Sequence, residues 1–150
     1  LTAWSGGSDP IEEWLVRELT PADSEERVWS LINAATDGHP DLALQLARQL
    51  VRQGESVLGI IALLAREFRL IARTLGLQAE HRPLSELAVA PFVQRRTQGE
   101  AHQWDIGAVT TALAEIEEAD LSIKTGRRSE ELALDLLLTR LAALRTVPRR

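Results

Sequence analysis

Side chains that could exchange a proton, attack a substrate or hold a metal are few and scattered in this 150-residue chain. The three histidines, His39, His81 and His102, lie far apart and never adopt the His-Glu-x-x-His spacing that sets two imidazoles on one helical face around zinc. Ser56 sits in Gly54-Glu55-Ser56-Val57-Leu58-Gly59, which imitates a nucleophile elbow. The second glycine comes one residue late and no strand pattern precedes it, so Ser56 reads as a first-turn helix residue. Lys124-Thr125-Gly126 matches a beta-lactamase tripeptide, but the companion Ser-x-x-Lys motif is missing. No Gly-x-x-x-x-Gly-Lys-Ser/Thr loop is present to cradle phosphates. The acidic pairs Glu12-Glu13, Glu25-Glu26, Glu117-Glu118 and Glu130-Glu131 fall in first turns or on solvent faces. There is no cysteine, which removes disulfides and thiolate chemistry. These residues imply no enzyme, no metal and no cofactor.

The densest polar group is Glu117-Glu118-Ala119-Asp120-Leu121-Ser122-Ile123-Lys124-Thr125-Gly126, which holds the chain's only lysine. Asp120 and Lys124 are four residues apart and so share a helix face. Lys124 falls in a last turn, where a cation complements exposed carbonyls, and Gly126 can take the left-handed conformation that ends a helix. Asp120 interrupts an apolar stripe of Ile116 and Ile123. A carboxylate on a buried stripe is paired or costs on the order of several kcal/mol. The expectation is a buried structural ion pair of Asp120 with Lys124, joined across the core by Arg69 or Arg66. Arg66, Arg69 and Arg73 form one helical ridge, and Arg95-Arg96 and Arg127-Arg128 lie at or near loops. Arginine can grip phosphates, but aromatic content is 4% with no tyrosine, which leaves little for base stacking. Salt bridges to neighbouring acidic helices are the simpler expectation.

These residues must be placed by helices, because apolar periodicity is helical nearly throughout and no useful strand alternation occurs. Asp9-Pro10 opens a short helix through Leu19, and Thr20-Pro21 opens another that carries Val28, Trp29, Leu31 and Ile32 and closes at Asp37-Gly38. His39-Pro40 starts a third, with a stripe of Leu42, Leu46, Leu50 and Val51, stopped at Gln53-Gly54. The fourth, Glu55 to Leu75, is apolar on most sides and therefore central; it should end at Gly76, with a loop over residues 76–83. Short helices follow at Leu84 to Val89 and from Pro91 to about Gln103. Asp105 caps a long helix, with Trp104 placed to pack on Val109. The last helix, Ser129 to Leu144, carries an inner stripe of Leu132, Leu136, Leu137 and Leu141. The fold class is all-α, a compact multi-helix bundle of about six to eight helices.

Hydrophobic content of 45% and charged content of 26% are those of one globular domain. No uncharged run approaches the length of a membrane span. The net charge of −5 is uneven, with residues 1–60 at −6 and residues 61–150 at +1. An acidic chain is a poor nucleic-acid module. Leu1 opens a chain without methionine, and Trp4-Ser5-Gly6-Gly7-Ser8 reads as a flexible lead-in, so a segment of a longer protein is expected. Residues 1–20 are expected to be a linker or the end of a preceding domain, 21–146 a helical domain and 147–150 a tail.

The Asp120/Lys124/Gly126 motif resembles the signature of the C-terminal domain of the bacterial DNA polymerase III delta subunit, a clamp-loader component. Val28-Trp29-Ser30-Leu31-Ile32-Asn33-Ala34 with Asp37-Gly38 is similar to that family's first collar helix. Ala43 to Glu55, with its Gln53-Gly54-Glu55 turn, is similar to the second, and Leu63-Leu64-Ala65-Arg66-Glu67-Phe68-Arg69-Leu70 to the third. Pro91-Phe92-Val93 through Trp104 resembles the short helix before the final pair. The likeness spans roughly residues 27–145. It implies a clamp-loader collar fold: an assembly domain in a five-subunit ring that loads the sliding clamp onto primed DNA. The implied partners are the ATPase (gamma/tau-type) and delta-prime subunits through their C-terminal domains, in the bacterial cytoplasm, with clamp and DNA met only through the parent complex. The polymerase label would come from the holoenzyme, not from catalysis. A collar needs exposed apolar surface on two sides; Leu134, Leu138 and Leu144 on the last helix, with Val16 and Leu19, are the expected interface. The competing reading is a generic all-α adaptor that binds a partner helix or peptide.

Overall fold

Proline at a first helical position, serine or aspartate just before one, and residues at positive φ just after the last turn are the punctuation of this chain. In the computed structural model, which describes residues 21–144, they delimit six α-helices. These are α1 (Pro21–Thr36), α2 (Pro40–Arg52), α3 (Val57–Ala79), α4 (Pro91–Ala101), α5 (Ile106–Lys124) and α6 (Glu130–Ala142), with a 3-10 turn at Leu84–Leu87 before α4. No strand occurs among the described residues. The expected helix ending at Leu19 and the tail at 147–150 lie outside them.

Three starts are capped by a side chain. Ser56 Oγ accepts from the Gly59 amide at 2.8 Å, Asp105 Oδ1 from Ala108 at 2.8 Å and Ser129 Oγ from Leu132 at 3.2 Å. Each such cap is worth about 1 kcal/mol. Ser56 thus stands just outside α3, not in its first turn, and the last helix begins one residue after Ser129. At the other end of α5, Gly126 has φ +76°; its amide donates to Ile123 O at 3.1 Å and that of Arg127 to Ser122 O at 2.9 Å. This is the six-to-one and five-to-two closure of a Schellman turn. The end of α3 uses the same closure with His81 at φ +56°: His81 N donates to Gln78 O at 3.2 Å and Arg82 N to Leu77 O at 2.9 Å.

The helix therefore runs through Gly76, where the sequence suggested a stop. A helical glycine costs only about 1 kcal/mol, and the half-buried Leu75 and Leu77 on either side of it hold the extra turn in place.

The central helix is α3. It packs against α1, α4, α5, α6 and the 3-10 turn, with α5 its most extensive neighbour. Ile60, Leu63, Leu64, Phe68 and Ile71 on α3 are all fully buried. The outer helices complete one continuous core: α1 gives Val28, Leu31 and Ile32, α5 gives Val109, Ala112 and Ile116, and α6 gives Leu134, Leu137, Leu138 and Leu141. On α2 the inward line is Ala43, Ala47 and Leu50, while Leu42 and Val51 are 45% and 39% exposed. Of the expected stripe Leu50 is buried and Leu46 half-buried, while Ala43 and Ala47 take the inward places expected of Leu42 and Val51. Small residues there let the two helices approach closely.

Candidate functional site

The long helix α5 carries the Asp120/Lys124/Gly126 motif at its end, and its buried line runs Val109, Ala112, Ile116, Ala119 and Ser122. Asp120 stands one position to the side of Ala119, half-exposed. Its Oδ2 lies 3.0 Å from Lys124 Nζ, and the two side chains are 35% and 60% exposed. The pair is therefore a surface i,i+4 contact, not a buried one. Arg69 does not join it: Arg69 is exposed on α3 and makes no ion pair among the described residues. Alanine at 119 takes the inward place because α5 lies close against α3, leaving the carboxylate beside it in water. Beyond the turn, Arg127 Nη1 meets Glu118 Oε2 at 2.9 Å and Arg128 Nη1 approaches the same oxygen at 3.9 Å. The hydrogen bond from Arg127, with its charge, holds the Glu118 carboxyl below its ordinary value.

Leucines expected at an interface are also found inside the fold. Leu134 and Leu138 are core residues, 4% and 0% exposed, and Leu144 is half-buried against the same cluster. Val16 and Leu19 lie outside the described residues. The helix α6 is wedged between α5 on one side and α1, α2 and α3 on the other, so a wider arc of it is covered than one stripe supplies. The leucine it does expose is Leu132, at 49%.

The surface apolar groups that align along a helix are on α5. Ile106, Thr110, Ala114, Glu117 and Leu121 are spaced by four, four, three and four residues and are all exposed. Ile106 is 57% and Leu121 49% exposed. Thr110 Oγ1 donates to Ile106 O at 2.8 Å and Thr111 Oγ1 to Gly107 O at 3.1 Å. With their hydroxyls folded back onto the helix, the threonines are less polar towards solvent than their type suggests. The ridge thus offers isoleucine, threonine, alanine and leucine with one carboxylate, over about 22 Å at 1.5 Å per residue. The sequence signal was available, since a threonine in mid-helix bonds back to the carbonyl four residues before it.

A second group was not legible. Glu67, in the middle of α3, is fully buried, and Arg96 Nη2 of α4 lies 3.8 Å from its Oε2. The Arg96 guanidinium also stands 4.7 Å above the Trp29 ring and 5.9 Å from that of Phe92. Arg96 is thus a structural clasp between α4, α3 and α1. Arg73 has a comparable role, donating to the Glu86 carbonyl at 3.2 Å to hold the 3-10 turn. No group of three potential metal ligands occurs among the described residues, and no described helix is long and apolar enough to cross a membrane.

Comparison with known proteins gives three concordant findings. The family model for the DNA polymerase III delta subunit, C-terminal domain, matches residues 25–141. The DNA polymerase III subunit delta of Bacillus subtilis (strain 168) is 26% identical over 130 residues, covering 84% of this chain and 38% of the relative. The structure of the Bacillus subtilis DNA clamp loader delta protein superposes with a TM-score of 0.73 at 25% identity, covering 79% of this chain and 36% of that one. The chain thus spans well under half the length of these relatives. The matched region is a C-terminal domain, not a catalytic one.

Proposed function

This chain belongs to the family formed by the C-terminal domains of DNA polymerase III delta subunits, and on that premise we propose that it is the collar domain that assembles a clamp loader. In this reading it packs between the C-terminal domains of the ATPase (gamma/tau-type) and delta-prime subunits. The ring so formed holds the loader together while it places the sliding clamp on primed DNA in the bacterial cytoplasm. Residues 21–146 are the assembly domain, and clamp and DNA are met only through the parent complex.

The observation that carries the reading is the α5 ridge. A complete core lies beneath it, yet Ile106 and Leu121 stand at its two ends about half exposed, with threonine and alanine between them and Glu117 as the only charge. Such a low-charge helical face suits packing against another helix, as in the apolar centre of a protein–protein interface. The test is size-exclusion chromatography with mass detection on the full-length subunit mixed with full-length ATPase and delta-prime subunits of the same organism. A stoichiometric complex is expected, weakened when Leu121→Glu places a charge on the ridge. Separate elution at tens of micromolar with a folded subunit overturns the assembly reading.

A further inference from the structure

The helices α2 and α6 are tied at one level by Arg48 Nη2 and Asp135 Oδ2, 3.1 Å apart. One turn onward along α2 stands Arg52, and one turn back along α6 stands Glu131, with Glu130 beside it. At this second level the walls part around a cleft of about 340 Å³, floored by Val51, Val57 and Leu134. The side chains of Arg52, Glu130 and Glu131 have no ion-pair or hydrogen-bond partner among the described residues. Helix dipoles account for their signs, since the carboxylates open α6 and the arginine closes α2. They do not account for an unmatched cation standing across from two unmatched carboxylates over a cleft with an apolar lining, in which Val57 and Leu134 are buried and Val51 is open. Val51 is 39% exposed there although the core next to it is complete.

We propose that this cleft receives a helix from the C-terminal domain of a neighbouring protein of the clamp loader. That helix sets an aliphatic side chain on Val51, turns a carboxylate to Arg52, and turns an arginine or lysine to Glu130 and Glu131. The inference rests on the assembly reading above and names the surface and the chemistry of the partner. Charge complementarity selects the occupant: the paired carboxylates exclude a phosphate or nucleic-acid backbone, and the split of sign between the walls fixes the direction in which the helix lies. A helix is the fitting element because no strand edge exists among the described residues for an extended peptide to join. The Arg48–Asp135 bridge closes one end of the cleft and sets the register of the entering side chain.

The test titrates full-length subunit against full-length ATPase and delta-prime subunits, comparing Val51→Glu, Arg52→Glu and Glu131→Arg with the surface control Gln98→Glu. Each cleft variant is expected to weaken association by about tenfold or more, and the control to leave it unchanged. Arg52→Glu removes no described contact, so it remains informative if Val51→Glu lowers the urea midpoint. If the unaltered subunit assembles and the cleft variants assemble equally well, the cleft proposal is wrong and the assembly reading stands. If the unaltered subunit does not assemble, both fall. Self-association of the subunit that Val51→Glu abolishes would make the occupant a second copy of this chain and overturn the proposal.

Discussion

Replacing Arg96 with alanine tests how α4 is held to the central helix. Arg96 Nη2 is 3.8 Å from a Glu67 side chain that is 1% exposed, and the arginine itself is 25% exposed. At an effective dielectric of about 20 the gross attraction is roughly 4 kcal/mol. Part of this is offset by the desolvation of both ions, while loss of one partner from a buried pair costs about 3–5 kcal/mol. The guanidinium over Trp29 at 4.7 Å adds roughly 1 kcal/mol. A loss of about 3 kcal/mol is therefore expected for Arg96→Ala. With a urea m-value of about 1.5 kcal/mol/M, that lowers the midpoint by about 2 M. In a Glu67→Gln background the same change should cost only about 1 kcal/mol, because the packing and the ring contact remain to be lost but the attraction between the two charges is already gone. The coupling is then about 2 kcal/mol. Additivity of the two substitutions within about 0.5 kcal/mol would refute the reasoning, since it leaves no coupling between the two charges.

Asp120→Ala should cost about 0.5 kcal/mol or less by urea denaturation, because its contact with Lys124 is an exposed i,i+4 pair; a loss above about 1.5 kcal/mol contradicts a surface role. Leu138→Ala, at a fully buried position, should cost about 3 kcal/mol, and a change under about 1 kcal/mol would count against its core placement. His81→Gly should stabilise the fold by about 1 kcal/mol, because the left-handed φ of +56° burdens any residue with a Cβ; an unchanged midpoint is the contrary outcome. Arg127→Gln should raise the Glu118 carboxyl towards its ordinary value of 4.5. A lowered folded value gives stability that is present above the unfolded carboxylate range and lost as pH falls through the folded one. The stability difference between this variant and the parent should accordingly shrink in acid, and carboxyl NMR titration reads the shift directly.

Periodicity and capping grammar made most helices legible, as at Asp105 and Pro40, because caps and inward faces are set by local geometry. The errors arose where packing decided. The side chain beside an apolar stripe goes inward or outward according to how closely the next helix approaches, so Asp120 read as buried when Ala119 holds that place. Leu134 and Leu138 read as spare because a helix wedged among four others buries a wider arc than one stripe. Glu67 and Arg96 went unread because their union is between helices far apart in sequence. The end of α3 was misplaced because glycine is a common stop signal, whereas here histidine adopts the left-handed turn.

The turn at Gly126 also bears on the surface that is proposed to bind. Gly126 closes α5 in a turn whose amides at Arg127 and Arg128 both reach back to Ser122 O, at 2.9 and 3.1 Å. Arg127 and Arg128 are in turn held towards Glu118, and three residues after Gly126 the Ser129 cap starts α6. The reversal therefore fixes where the first turn of α6 falls along α2. In that register Asp135 reaches Arg48, and Glu130 and Glu131 line the same cleft as Arg52, Val51 and Val57. A substitution such as Gly126→Val, strained at φ +76°, would act on the cleft by shifting the start of α6 without touching any cleft residue. On the proposed reading the motif would serve assembly by position, setting the spacing of the cleft charges through the turn that joins α5 to α6.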